Sequence, residues 1–435
     1  MRIGSPVPAL MLIILIGLCA PQTLDAANWY VSGATGKNSN PGTRDLPLKN
    51  IDRAIKKAAA GDTVCIAGGT YSGTFDIGFL VCDKPLKLLG SYSPDFSRRS
   101  IVKHPTLFRP SNKSAAQARK PLLTLTRNVD GTVVDGIVFD MGLRNAYHSH
   151  EGKPSGLETG MLLLPPKKTG GQNATVTEAC LSIPSSSPGG AVVVQNNLFL
   201  NGAKFGIQAG MRNGILKILN NVFVANRMAA IEVYGTCPNR GGPGGKTRCA
   251  EVEIAHNTIL FSWSRTKDMK DMGYGIRIMT KLEYDIHHNL IGGNVLAGVD
   301  HTRFNPDEWI RLDHNIFFAN KQADLLFSPQ SNTRLMLSTD QFADLELASC
   351  SDNRQRIPGE LKIDPAYLEG YLNARYSEKT DFNPDSPANV WRELMGLNKQ
   401  GKMTSSVSMF ANRYPLNQAL ILFGAIKDHG AQAWD

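Results

Sequence analysis

One short pattern returns five times in the middle of this chain and limits its fold more than any other feature. It reads VVVQNNLF at 192–199, LKILNNVF at 216–223, VEIAHNTI at 252–259, YDIHHNLI at 284–291 and IRLDHNIF at 310–317. Aligned on the second residue of the central pair, one column holds Asn197, Asn221, Asn257, Asn289 and Asn315. Three positions earlier stand Val194, Ile218, Ile254, Ile286 and Leu312; five earlier stand Val192, Leu216, Val252, Tyr284 and Ile310. Between those two columns lie Val193, Lys217, Glu253, Asp285 and Arg311, mostly charged. Apolar residues at every second position mark a strand with one buried face.

The asparagines are spaced 24, 36, 32 and 26 residues apart. The shorter intervals fit one turn of a parallel β-solenoid, and the longer ones fit a turn carrying an insertion. A repeated corner Asn has a structural purpose, because its amide can bond backbone groups in the bend and the Asn of the next turn. His256, His288 and His314 stand directly before three of these asparagines and suggest a metal. Rings stacked one ~4.8 Å step apart could share an ion only in pairs after tilting, so corner packing is the expected role. Lys217, Glu253, Asp285 and Arg311 form a surface charge ladder that needs no function. The chain is 20% charged and 42% hydrophobic, figures that exclude wholesale disorder and a coiled coil.

The N-terminus supplies an address. Arg2 is followed by an apolar run from Ala9 to Leu18, then Pro21, Ala26 and Ala27, the arrangement of a signal peptide over residues 1–26. No other run is long enough for a membrane span. The mature chain is therefore expected to be exported, periplasmic or extracellular. Six cysteines remain after cleavage, an even number that suggests disulfides in an oxidising compartment. Cys237 with Cys249 is the expected pair, bracketing a Gly-rich loop, and Cys65 with Cys82 is a second candidate.

Three regions carry a family resemblance. The start, WYVSGATGKNSNPGTRDLPLKNIDRAIKKAAAGDTVCIAGGTY, presents a strand, an Asn-Pro-Gly-Thr turn, a capping helix and Gly-Asp-Thr-Val leading to Gly-Gly-Thr-Tyr. The middle carries the asparagine turns, and the end runs from Ile363-Asp364-Pro365 through Asn383-Pro384-Asp385-Ser386-Pro387-Ala388. Together they resemble the right-handed parallel β-helix proteins of the pectate-lyase-like superfamily. That resemblance implies an all-β solenoid over 27–390 with an N-terminal capping helix, followed by a short C-terminal cap over 391–435. Leu420 to Ile426 is expected to pack across the open end.

In that superfamily the asparagine corner joins the second and third strands of a turn, and the next strand belongs to the first sheet, which usually lines the cleft. Here those strands are expected at 160–164, 206–210, 230–235, 275–281 and 298–303. Alternation turns Met161, Ile207, Ile231, Ile276 and Val299 inward and Leu162, Gln208, Glu232, Arg277 and Asp300 outward. Tyr234 and Thr302 follow on the same outer face. The Cys237–Cys249 loop and the basic stretch from Arg265 to Asp271 are expected to wall a groove there. With a net charge of +9, such a groove suits an acidic polysaccharide. A monomer is expected. Nucleic acid is not, because no recognised module or basic-aromatic stripe appears. A Gly-Lys-Thr end at Gly245-Lys246-Thr247 mimics a phosphate loop, but Arg240 occupies its first glycine position.

The leading expectation is a polysaccharide lyase that performs β-elimination on uronates. Such chemistry neutralises the carboxylate, removes the adjacent proton and protonates the leaving oxygen. Arg277, Lys281 and Arg303 could supply positive charge, Lys281 the base and Tyr234 the proton. Gln208, Arg303 and Arg265 could bind substrate, and His301 beside Asp300 could turn into the groove. Glu232 and Asp300 could hold Ca²⁺, as the resemblance suggests. A C5-epimerase would use nearly the same groups. Glu232 and Asp300, ~9–10 Å apart by stacking, also approach the ~6.5–9.5 Å spacing of inverting glycoside hydrolases. A non-catalytic polysaccharide-binding or surface solenoid is the remaining alternative.

Overall fold

The computed structural model describes Met1 and residues 26–72, 80–109, 121–126, 129–141, 179–184, 191–202, 204–235, 250–263, 272–279, 282–302, 309–329, 333–356, 361, 363, 392–399 and 414–434. The signal-peptide segment, the 160–164 segment, Cys237, Cys249, Arg265, Lys281 and Arg303 lie outside the described residues.

The described strands form three sheets of nine strands each, and each strand pairs with its counterpart on the neighbouring turn. All pairings are parallel except the last of the first sheet, where Leu335–Leu337 runs antiparallel to Ala323–Phe327. The chain is thus a right-handed parallel β-helix. Its interior holds one continuous apolar stack, which includes Val194, Ile218, Ile254, Ile286 and Leu312 of the second sheet. Second-sheet strands such as Ile215–Leu219 and Glu283–His287 alternate between buried and half-buried positions, as the sequence pattern requires. Phe139, Phe199 and Phe223 of the third sheet stack face to face inside, with centroids 4.9 and 4.7 Å apart.

The N-terminal end is closed as expected. Helix α1 (Ile51–Lys57) buries Ile51, Ala54 and Ile55 against the first turns. Before it, Gly42 of the Asn-Pro-Gly-Thr turn has φ +95, and a side chain there would press into the Trp29 ring. Asp62 of Gly-Asp-Thr-Val accepts N–H bonds from Ala27, Ala59 and the Trp29 indole, clamping the first strand to the second. The Tyr71 hydroxyl donates to the Ala67 carbonyl and accepts from Gly33 N–H.

The C-terminal segment differs from expectation. Leu420, Leu422, Phe423 and Ile426 do not lie over the open end. They pack along the outer face of the third sheet, against residues such as Leu198, Leu200, Val222, Val224, Leu260 and Leu290. Third-sheet strands are apolar on both faces, for example Leu198–Leu200 and Val222–Val224, so the outer face needs its own cover. The segment supplies that cover. The open end is closed instead by residues 335–350, where Phe342 enters the interior stack and Leu337, Leu345 and Leu347 pack against it.

The asparagine column is a buried hydrogen-bond ladder. Asn197, Asn221, Asn257, Asn289 and Asn315 are fully buried. Each Oδ1 from Asn221 to Asn315 accepts both the backbone N–H and the Nδ2 of the Asn one turn earlier, as Asn257 does from Asn221 at 2.9 and 3.0 Å. Each Nδ2 also donates to a backbone carbonyl inside the bend, such as that of Val194 or Ile218. The ladder runs one step further than the repeat suggests, to Asn353. The residue before each rung is left-handed: Asn196, Asn220, His256, His288, His314 and Asp352 have φ between 53 and 57. Asn, Asp and His tolerate that conformation better than most residues, so the histidines fit the corner.

The expected Cys65–Cys82 pair is corrected, while Cys237 and Cys249 lie outside the described residues. Cys65, Cys82, Cys180 and Cys350 are all free thiols. Cys65 packs with Phe96 and Tyr92 beside the second sheet, whereas Cys82 belongs to the interior stack on a first-sheet strand. The wall of the solenoid separates them.

Candidate functional site

The first sheet aligns the expected residues in one row. Gln208 pairs in register with Glu232, Glu232 with Arg277 and Arg277 with Asp300. The position beside Gln208 is Ser182, on strand Leu181–Ile183, rather than a residue of 160–164. On the other side Asp300 pairs with Leu326, which is buried.

These side chains form a continuous polar network. Gln208 Nε2 donates to Glu232 Oε1 at 2.7 Å, and Arg277 donates to Glu232 Oε2 through Nη1 at 2.6 Å. Arg277 Nε lies 3.3 Å from Asp300 Oδ2, and the Thr302 hydroxyl and N–H both donate to Asp300 Oδ1. The three charged side chains are 12% (Arg277), 7% (Glu232) and 2% (Asp300) exposed. Burial alone would lower the Arg277 pKa, but the charge and hydrogen bond of Glu232, then Asp300, raise it above its ordinary value. Arg277 is therefore a permanent cation and no base.

A detail of the backbone brings in a residue that alternation missed. Gly275 and Ile276 both turn inward, and a side chain on Gly275 would meet Ile291 and Asn294. Tyr274 consequently leaves the interior and joins Phe205, Ala229, Ala297, Ala323 and Leu326 in a separate apolar cluster. The Arg277 guanidinium carbon lies 5.8 Å from its ring centroid. The only sequence signal is the Gly-Tyr-Gly-Ile spacing, in which a glycine allows two consecutive inward positions.

The remaining candidates fall in different places. Tyr234 lies two residues beyond Glu232, half-buried and in register with Gly210. His301 pairs with Phe327, its ring 5.4 Å from that of Phe327, on the inward side shared with Val299 and Leu325. Its ring thus sits at the solenoid interior, opposite in direction to Asp300. Calcium does not fit the pair Glu232 and Asp300. Both carboxylates already accept donors from Arg277, which occupies the position between them that a cation would need.

Comparison with known proteins adds the following. The family described as a protein of unknown function (DUF1565) matches residues 34–94. No curated protein matches the chain in sequence. Among solved structures, pectate lyase Pel9A is similar at 13% identity, covering 68% of this chain and 70% of its own, with a TM-score of 0.37. A rhamnogalacturonan lyase is similar at 12% identity over 88% of this chain and 96% of its own, with a TM-score of 0.38. XylC, solved with xylose, is similar at 13% identity over 67% of this chain and 62% of its own, with a TM-score of 0.35. The fold assignment itself rests on the three sheets and their register. No helix among the described residues is long and apolar enough to cross a membrane.

Proposed function

We propose that this chain is an exported carbohydrate-active β-helix that binds an acidic polysaccharide along the outer face of its first sheet and cleaves it as a lyase. One observation carries the proposal. Glu232, Arg277 and Asp300 are charged and nearly buried, yet the next position of the same row is Leu326. The fold therefore accepts an apolar residue there, and burying three charges brings little stability that Leu would not. Their retention is best explained by use.

In the lyase reading Arg277 is the fixed cation that stabilises charge developing on a uronate, and its two carboxylates keep it protonated and oriented. Tyr234, on the same face, is the candidate for proton delivery, with Lys281 as base and Gln208, Arg303 and Arg265 as substrate contacts. A C5-epimerase would share this machinery. The inverting-hydrolase alternative loses ground, since it needs one carboxyl free to protonate the leaving oxygen and both are already engaged by Arg277, Gln208 and Thr302. The mutual saturation of Arg277 with Glu232 and Asp300 favours one other reading, a strip that binds without turnover.

The test is ultraviolet absorbance of the purified protein with a panel of polyuronates. A rise on one substrate, reduced ~10²-fold or more in Tyr234→Phe, is the expected result. A flat trace over the whole panel, with retained binding, would replace the lyase by the binding strip.

A further inference from the structure

The opposite side of the solenoid carries a histidine cluster that the first-sheet site does not use. His256 and His288 occupy equivalent left-handed corners on adjacent turns, and their rings stack 5.0 Å apart at 23°. His287 is the last residue of strand Glu283–His287 and stands edge-on to both, 6.1 Å from His256 and 5.2 Å from His288. One nitrogen from each of the three rings lies within 4.8 Å of the others. The corner column alone hides this, because it contains only stacked rings and omits the adjacent strand residue.

Two features point to a ligand. His256 Nδ1 is buried and has no hydrogen-bond partner among the described residues. His287 Nδ1 and His288 Nδ1 face each other at 3.0 Å, so at least one must carry a proton for a hydrogen bond, or both lone pairs must share a cation. We propose that His256, His287 and His288 bind a divalent transition ion of the Zn²⁺ class.

Tetrahedral ligands at the usual Zn–N distance lie ~3.3–3.4 Å apart, between the 3.0 Å of the His287–His288 pair and the 4.8 Å within which all three nitrogens fall. Imidazole nitrogen also suits Cu²⁺ and Ni²⁺, so Zn²⁺ names the class rather than one element. Burial, followed by the neighbouring imidazoles of His256, His287, His314 and His429, pushes the His288 pKa down to about 4. Burial and then His287 and His429 lower that of His256. Both rings are therefore neutral near pH 7, the state that binds metal.

The site would staple two adjacent turns. Glu253 Oε1, 3.7 Å from His287 Nε2, would orient that ring from behind, and His429, whose ring is 5.6 Å from that of His288, stands beside the cluster. His429 belongs to the C-terminal segment, and Gly430 N–H donates to the His288 carbonyl. His314, also in the corner stack, lies 3.7 Å from Asp352 and is not a ligand in this assignment.

The column itself supplies the substitution that spares the corner, because Asn196 and Asn220 occupy it in the same conformation. Chelator-stripped protein without a histidine tag would be titrated with ZnCl₂ by calorimetry, alongside thermal melting. One ion per chain at micromolar or tighter Kd, with a raised Tm, is expected. His256→Asn with His288→Asn should weaken binding at least 100-fold, and His287→Ala, at a partly exposed strand position, should do the same without disturbing the corner. His314→Asn should bind normally. Absence of saturable binding, or binding unchanged in the double variant and in His287→Ala, would overturn the proposal. An equal loss in His314→Asn would overturn this choice of ligands.

Discussion

Replacing Arg277 by Leu separates stability from use in a way no other single substitution here does. The wild-type row buries two carboxylates and one guanidinium, and Arg277 donates to both partners. Leu at 277 leaves Glu232 and Asp300 buried without a counter-charge. Breaking a buried pair in this manner costs about 3–5 kcal/mol, far above the ~0–1 kcal/mol of an exposed pair. Substituting Glu232, Arg277 and Asp300 together by Leu removes the charges along with their desolvation cost. The triple variant should lie within about 1 kcal/mol of wild type or be more stable, as Leu326 already shows an apolar side chain accommodated one turn on. Urea unfolding at pH 7 reads both values, and turnover or polyuronate binding is measured on the same samples. The single variant should lose stability and function, while the triple variant should lose function alone. A single-variant cost below about 1 kcal/mol would refute the burial argument. A triple variant as unstable as the single would refute the claim that the fold does not need these charges.

Three further outcomes are expected. Asn257→Ala orphans the buried Asn221 N–H and the Ile218 carbonyl, so it should cost about 2–6 kcal/mol, whereas Asn353→Ala at the half-exposed end of the ladder should cost ~1 kcal/mol; equal costs in urea melts would contradict the ladder. Burial alone would raise the Asp62 pKa, but bonds from Trp29, Ala27 and Ala59 outweigh it and hold the carboxyl below its usual 3.8. Its stabilisation is then present above about pH 4 and lost as pH falls through the depressed folded-state value, so Asp62→Asn should cost ~1.5–3 kcal/mol at pH 7 and little near pH 2, a penalty independent of pH being the contrary result. Ending the chain before Tyr414 should expose the outer third sheet and be detected as strong binding of a hydrophobic dye to a protein that keeps its β-sheet circular dichroism; an unchanged dye signal would show that the cover is dispensable.

Much of the fold was legible because a solenoid writes the same local rule on every turn. The alternation around Val194, Ile218, Ile254, Ile286 and Leu312 and the Asn column gave sheet, corner and register together. The row Gln208, Glu232, Arg277 and Asp300 followed from the same register. Legibility ended where an interaction belongs to no repeat. The C-terminal segment carries no periodic pattern, so its apolar residues showed that it packs somewhere but not against which face. The +5 column after each ladder Asn, which includes Asn226, Asn294 and Asn320 and bonds the next corner, was obscured by Gly202 and Ser262 at two of its positions. Strict alternation sends Tyr274 inward, which the consecutive inward pair Gly275 and Ile276 breaks; it also sends His301 inward, where its ring lies, and the bend expected to turn it into the groove does not occur. His287 was overlooked because it stands on a strand beside the column rather than in it.

The C-terminal segment also sets a schedule. Its residues climb back along the axis: Gly430 bonds the turn of His288, Ala431 that of Thr258 and Gln432 that of Asn220, while Trp434 reaches Arg99. Asn201 and Asn220 thus wait for partners 213 and 212 residues downstream. A coil like this can wind turn by turn as synthesis proceeds, but its third side stays greasy until residues 414–434 arrive. The nascent molecule is consequently most exposed to misassociation just before that segment emerges, and whatever escorts it must shield a flank rather than an end.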